Sequence, residues 1–443
     1  MTMTYRVDRA PVLTSVRPPY DLRTMDDPYF EAGPRRVGHL LVASLVVLSV
    51  LVPSGPGNTA LADVGILAFV VSLFVWMRRK RLVVTLPYAL PVGIMMLSGA
   101  VAAYLAHAES AAIAVLQDLF CLVWGAAVAN AVRHRRWLLQ VLLRTWVWSG
   151  VGWAAVMCFG RMTGIDWLAG VTPKDGGRAS LTFDDPNLAA NYFLVILALV
   201  LATSVIRRPW ARVLALAVLL LAIVFTGSNG ATLALAALVG VGGLLRLRRR
   251  FGVLAATSLL SLGVVALALV SPYVSLSQIR QSAADSAQVL RDSLGRTDES
   301  SGSRQALASE TLKLYLEGDL VGVGPGRTKA TLKGSAAPYV KEAHNDYLAT
   351  IVERGAAGGV GLTLLIAAVA ARLGRTVRRP QTEWVRMLVP RPEFLLGLGC
   401  AFLVSAFFYE VLHFRHLWAF LGLVAGIDPG AWMLPSARRR CSR

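Results

Sequence analysis

The sequence predicts an all-α polytopic membrane protein of about twelve transmembrane helices, with a long external loop that contains amphipathic helices. Three observations predict it. Of the 443 residues, 55% are hydrophobic and only 16% are charged. Apolar runs long enough to cross ~30 Å of hydrocarbon recur along most of the chain. The Lys and Arg residues gather in short clusters between those runs, as membrane topology requires. In lipid the backbone must satisfy its own hydrogen bonds, so such runs are helices.

The expected spans lie at about 38–53, 61–77, 82–106, 111–132, 137–159, 187–206, 210–226, 228–245, 252–272, 344–371, 393–412 and 415–432. With the N-terminus inside, all seven basic clusters become cytoplasmic: Arg35-Arg36, Arg78 to Arg81, Arg133 to Arg136, Arg207-Arg208, Arg246 to Arg250, Arg372 to Arg391 and Arg438 to Arg440. The domains follow: a disordered cytoplasmic tail at 1–37, spans one to nine at 38–272, the external loop at 273–343, spans ten to twelve at 344–432 and a basic cytoplasmic tail at 433–443. No apolar signal-peptide core precedes residue 38, so no cleaved signal peptide is expected.

The formal charge of +19 first suggests nucleic acid, but its distribution between apolar runs argues for membrane topology and against a nucleic-acid partner. Cys121, Cys158, Cys400 and Cys441 have neither metal-ligand spacing nor a disulfide framework. No cluster suggests Zn, Ca or Mg ligation, and no cofactor is expected.

The external loop holds nine basic and eight acidic side chains over residues 273–343. So long a loop without structure is unusual, and it reads as two amphipathic helices. Leu276, Ile279, Ala283, Leu290 and Leu294 recur at helical spacing before Gly295; Leu307, Thr311, Leu314 and Tyr315 do so between Ser303 and Gly318. The run Gly322-Val323-Gly324-Pro325-Gly326-Arg327 lacks a nucleotide loop's Gly-Lys-Ser/Thr ending and reads as a tight turn back to the membrane.

The chemistry-bearing stretch is Glu342-Ala343-His344-Asn345-Asp346-Tyr347-Leu348, followed by Glu353-Arg354-Gly355. His344 enters an apolar helix from an aqueous loop, where it is either a general base for an acceptor hydroxyl or an interfacial anchor. The positive end of the helix dipole would favour a neutral imidazole able to accept a proton. Asn345 and Asp346 suit a helix cap, and Glu342 either orients His344 or is solvated. Arg304 in Gly302-Ser303-Arg304, with Arg327 and Arg178 as weaker candidates, has the planar fork that suits a diphosphate. Asp184-Asp185-Pro186-Asn187 reads as a helix start, and Thr226-Gly227-Ser228-Asn229 as a polar turn. Asp118 and the group Glu410, His413, Arg415 and His416 lie at membrane depth or at a turn, where such residues pair or face a cavity; Glu410 with Arg415 is one structural pairing.

Taken in order, Asp185-Pro186-Asn187, Thr226-Gly227-Ser228, Gly302-Ser303-Arg304, Gly322 to Gly326, His344-Asn345-x-x-Leu348 and Gly355-x-x-Gly358 resemble the O-antigen ligase/polymerase family of bacterial membrane glycosyltransferases. The resemblance covers about residues 178–431 and is strongest over 303–362. It implies a C-type membrane glycosyltransferase-like fold and metal-independent transfer of a glycan from a polyprenyl-diphosphate carrier to an acceptor hydroxyl, on the outer face of the cytoplasmic membrane. The acceptor is a glycan, a lipid or a protein. The family's essential His falls on His344, its diphosphate-binding loop Arg on Arg304, and Arg178 matches an Arg that often precedes the Asp-Pro-Asn element. The family's Thr-Gly-Ser turn commonly ends in a second essential Arg. Here that position is Asn229, which leaves Arg178 or Arg327 as the second cation, or a different donor, or lost activity. A lipid-linked oligosaccharide flippase and a protein O-oligosaccharyltransferase remain the alternatives.

Overall fold

The computed structural model describes residues 32–48, 60–107, 109–172, 176–270, 299–318, 320–334 and 344–432. The helices are α1 (Ala32–Val47), α2 (Leu61–Arg79), α3 (Ala89–Leu105), α4 (Glu109–His134), α5 (Arg136–Thr163), α6 (Asp166–Ala169), α7 (Pro186–Ala202), α8 (Pro209–Phe225), α9 (Asn229–Val270), α10 (Glu299–Leu316), α11 (Thr328–Gly334), α12 (Asp346–Arg378), α13 (Glu383–Leu388), α14 (Glu393–Ser405) and α15 (Arg415–Ile427). Among the described residues, extended pairing is limited to one isolated bridge between Val171 and Ala179.

Each expected span overlaps a described helix, two of them sharing α9. Among the described residues, four helical stretches, Ala111–His134, Arg136–Thr163, Asn229–Gly263 and Asp346–Arg378, are long and apolar enough to cross a membrane, and five further apolar helices are shorter. Side chains such as Leu90, Leu97, Val213 and Leu254 stand exposed on the helix faces, as a lipid-facing surface requires.

Several boundaries differ from the sequence reading for local reasons. α1 begins at Ala32, inside the tail expected at 1–37. α3 begins at Ala89 rather than near residue 82, because Leu86 precedes Pro87 and is pushed out of the helical region. The extended stretch before it is held by Asn130 of α4, which donates to the Thr85 carbonyl at 2.7 Å and accepts from the Thr85 N–H at 3.0 Å. Spans eight and nine are joined in α9, bent at Gly252 (φ +87°) just after the basic cluster Arg246 to Arg250. α14 ends at Ser405, and a 3-10 turn at Val411–His413 leads into α15. The first loop helix, Leu276 to Leu294, lies outside the described residues, as do residues 433–443. The second is α10: it starts at Glu299, ahead of the expected Ser303, and buries the expected Leu307 and Thr311.

The helices pack in a single bundle: α12 on α3, α14 on α9, α15 on α4, and α7 against α8 and α14. The α4–α15 contact uses the spacing Gly422-x-x-x-Gly426, where a Cβ on Gly426 would come within 2.7 Å of Val132. Two acidic residues near the basic clusters act as clamps. Fully buried Glu393 accepts from Arg246 at 3.2 Å and Arg249 at 3.1 Å, joining α14 to α9. Asp428 accepts from Arg372 at 3.0 Å and Arg375 at 2.7 Å, joining the end of α15 to α12.

α12 is broken at Gly355 (φ +66°, ψ −169°), and residues Leu320 to Thr328 fold against the break. Ala356 N–H donates to the Leu320 carbonyl at 2.9 Å, Val323 N–H to Val352 at 2.9 Å and Gly324 N–H to the Glu353 carbonyl at 3.0 Å. Gly322, Gly324 and Gly326 all have positive φ, which makes this the tight turn expected from the sequence. A Cβ on Gly355 would run into the backbone of Leu320 and Val321. Gly355→Ala should therefore destabilise the protein by about 2 kcal/mol or more, combining left-handed strain with overpacking. Gly374→Ala, where a Cβ meets nothing within 4 Å, should be neutral. Thermal unfolding of the two purified variants measures the difference; equal melting temperatures would contradict the docked break.

Candidate active site

His344 lies two residues before α12, exposed, with its backbone in the left-handed region (φ +46°) that a non-glycine residue seldom adopts. Asn345 is the N-cap: its Oδ1 accepts from Tyr347 N–H at 3.0 Å and Leu348 N–H at 3.2 Å. Asp346, expected as a second cap, does something else. Its buried carboxylate accepts from the backbone N–H of Val411 at 2.8 Å and of Leu412 at 3.3 Å, and its own N–H donates to the Ala406 carbonyl at 2.9 Å. These bonds fix the His344 end of α12 on the turn between α14 and α15. Glu342 lies outside the described residues.

The same turn reaches the segments of the other site candidates. Tyr409 Oη is 2.6 Å from Ser228 Oγ, in the polar turn between α8 and α9. That turn is held in its turn by Arg178, whose Nε donates to the Thr226 carbonyl at 2.7 Å and whose Nη2 donates to Asn187 Oδ1 at 2.8 Å. Asp185 caps α7 through the Asn187 N–H at 2.8 Å, the helix start expected from the sequence. The bonds thus link Arg178 and Asn187, through the Thr226–Ser228 turn and Tyr409, to the α14–α15 turn whose Ala406, Val411 and Leu412 hold Asp346, two residues from His344. Arg178 and Thr226 are buried, whereas Asn229 is exposed at the first position of α9. Arg178, a diphosphate candidate by sequence, has two of its donor nitrogens engaged as a brace for the turn.

Arg327 stands at the other side of α12. Its Nη1 donates to the Ala106 carbonyl at the end of α3, at 2.9 Å. Arg304 falls in the first half of α10, which packs on α12; its side chain lies outside the described part of the structure.

Below the His344 end runs an apolar cavity of about 160 Å³ between α12, α14 and α15. Asp346 and Tyr347 line its end nearest His344; Leu362, Leu365 and Leu373 of α12, Cys400 and Leu403 of α14 and Phe420 of α15 line the rest. Tyr347 donates from its hydroxyl to the Leu403 carbonyl at 2.9 Å, which ties this end to α14.

For four charged residues of this region, each named from the sequence, the structure supplies the partners, and Arg415 bonds Asp63 where the sequence suggested Glu410. Glu353 accepts from Gly326 N–H at 2.8 Å and Thr328 Oγ1 at 2.8 Å, and so holds the glycine turn. Arg354 is buried and pairs with Asp118 of α4, giving that intramembrane carboxylate its partner. Arg415 grips Asp63 of α2 through Nε at 3.0 Å and Nη2 at 2.8 Å, and Glu410 lies 4.0 Å from His413. The ionisable pair Glu353-Arg354 inside an apolar run was a signal in principle; Tyr409 had none.

A helical bundle with long apolar spans, polar turns gathered at one end and an apolar cavity reaching towards them has the features of a multi-pass membrane protein. Residues 214–363, 150 of the chain's 443, match the model of the O-antigen ligase family, so this third of the chain is similar to O-antigen ligases. The matched segment runs from α8 to α12 and includes Thr226, Asn229, Arg304, Arg327 and His344, while Arg178 and Asn187 precede it. No curated protein matches the chain at a significant level.

The Arg354–Asp118 pair makes a clear prediction. Asp118→Asn leaves a buried guanidinium uncompensated and should destabilise the protein by about 3–5 kcal/mol, whereas Asp118→Leu with Arg354→Met should recover most of that loss. Melting temperatures of the single and double variants measure the recovery; a double variant less stable than either single one would show that the pair is not the relevant contact.

Proposed function

We propose that the protein is a metal-independent inverting glycosyltransferase. It moves a glycan from a polyprenyl-diphosphate carrier to an acceptor hydroxyl on the outer face of the cytoplasmic membrane, as a surface polysaccharide ligase or polymerase. The observation that carries the reading is the position of His344, within the family-matched segment and two residues before Asp346, which lines the apolar cavity. A prenyl chain laid in that cavity would bring its diphosphate to the polar turns at the His344 end.

In this reading a His344 ring nitrogen takes the proton of the acceptor hydroxyl as its oxygen attacks the anomeric carbon. Attack comes from the face opposite the diphosphate, so the configuration inverts. The bond from the anomeric carbon to the diphosphate oxygen breaks, and that oxygen keeps the electron pair. Arg304 on α10 stabilises the developing negative charge. Arg178 contributes by bracing the turn that carries Thr226 and Ser228. Asn345 and Asp346 hold the histidine in place from the cap and from the α14–α15 turn. The exposed Asn229 in place of the family's second Arg puts the cationic role on Arg304. The reading also places both termini and the basic clusters on the cytoplasmic side.

A strain carrying His344→Ala should accumulate the polyprenyl-diphosphate glycan on the outer leaflet, with normal protein levels in the membrane. Accumulation on the inner leaflet alone would point to a flippase, and wild-type transfer by the variant would remove His344 from the mechanism. Cys400→Trp, which fills the cavity, should raise KM for a long-chain donor roughly tenfold or more while leaving KM for a short-prenyl analogue unchanged. Equal effects on both donors would take the prenyl chain out of this cavity.

A further inference from the structure

A second pocket opens at the opposite end of the bundle. α7 and α8 are 17 residues each, so their far ends lie about 25 Å from the Arg178–Thr226 contact. There, Arg144 and Trp148 of α5 face Arg207, Arg208 and Trp210 at the α7–α8 turn across an open pocket of about 580 Å³. Both tryptophans are more than half exposed, at 54% and 63%. Below Trp210, Val213 and Leu214 continue an exposed apolar strip down α8.

The arginines of this pocket differ from their neighbours. Arg246 and Arg249 are bound to Glu393, and Arg372 and Arg375 to Asp428. Arg212 and Arg391 are spent on backbone carbonyls: Arg212 donates to Val200 and Leu201, Arg391 to Thr203 at 2.8 Å. Among the described residues, no carboxylate pairs with Arg144, Arg207 or Arg208, and Arg144 has a neutral partner, the Gln140 amide oxygen, which accepts from its Nη2 at 2.8 Å. The turn between them is rigid, because Ser204 Oγ donates to the Met387 carbonyl at 2.6 Å and Ser204 N–H to Leu388 at 3.0 Å. The N-terminus of α8 adds its dipole at the same place, with Pro209 at the first turn.

We propose that this pocket binds the headgroup phosphate of an anionic phospholipid, with Arg144, Arg207 and Arg208 on the phosphate, Trp148 and Trp210 at the headgroup level, and an acyl chain along Val213 and Leu214. Guanidinium forks suit a phosphodiester, and tryptophans flanking it mark the membrane–water interface. The lipid is a structural ligand at the end of the bundle remote from His344. The inference rests on membrane embedding and not on the transferase chemistry.

The test uses the full-length protein, purified in a zwitterionic detergent and titrated with phosphatidylglycerol, phosphatidylcholine or inorganic phosphate, followed by native mass spectrometry and thermal unfolding. Phosphatidylglycerol should give a retained adduct and raise the melting temperature, phosphatidylcholine neither. Since each arginine near an anionic headgroup contributes about a factor of five, the variant R144Q/R207Q/R208Q should bind phosphatidylglycerol on the order of a hundredfold more weakly. Trp210→Ala, which removes no charge, should weaken binding less and confirms folding independently. Retention of both lipids alike, or unchanged binding by the triple variant, would overturn the site. Protection by inorganic phosphate at equal concentration would reassign it to a soluble phosphate. His344→Ala should bind the lipid as the wild type does, so failure here and failure of the transferase reading are separable.

Discussion

The break in α12 at Gly355 is the constraint from which the site follows. A helix interrupted among apolar neighbours frees N–H and C=O groups that lipid cannot satisfy, at several kcal/mol for each group left unpaired. Here they are taken up by the glycine turn at Leu320 to Gly326, through Leu320, Val352 and Glu353 carbonyls. The two ionisable residues just before the break divide the work. Glu353 turns to the glycine turn and holds Gly326 and Thr328; Arg354 turns into the bundle and holds Asp118. Each charge is compensated by a different element, so neither can relax without releasing a neighbour.

One consequence is that the short segment Asp346 to Arg354, which carries His344 at its head, is oriented separately from the rest of α12. Its lower end is pinned by α3, α4 and the glycine turn, and its upper end by the bonds of Asp346 to Val411 and Leu412. The proposed transfer, which needs an acceptor and a diphosphate on opposite sides of one carbon, would gain from such double anchoring, because small displacements are costly in rate. The lower half of α12 is then left to line the apolar cavity. Polar and apolar duties are separated along one helix, with the break between them.

The positions of the helices were legible in the sequence because hydropathy and the basic clusters are collective signals spread over many residues. Ends were less so: α3 starts late because of Pro87 and a tie from Asn130, and α14 ends early at a turn whose bonds come from Asp346, a residue 60 positions or more from its partners. At the site, short-range roles were readable. Asp185 and Asn345 cap as their spacing suggests, and Leu307 and Thr311 face inward on α10. Long-range pairings were not: nothing local in the sequence joins Arg354 to Asp118, Arg415 to Asp63 or Ser228 to Tyr409, each separated by more than 180 residues. Arg178 shows the limit most clearly, since a cation suited to a diphosphate is, in the fold, suited equally to a carbonyl and an amide.

The charge of +19 is accordingly not one property. Some arginines are clamps on buried carboxylates, as around Glu393 and Asp428; some are caps on backbone carbonyls, as Arg212 and Arg391; and some face outward, as Arg207 and Arg208. Salt separates the three. Within a Debye length of about 8 Å at physiological ionic strength, exposed charges are screened while buried pairs are screened far less. The clamps and caps therefore belong to the architecture of the bundle under any ionic condition, and only the outward-facing set is available to sense the composition of its surroundings. A sequence reader who sees seven basic clusters sees orientation; the structure divides the same residues into those that hold helices together and those left to meet the membrane surface.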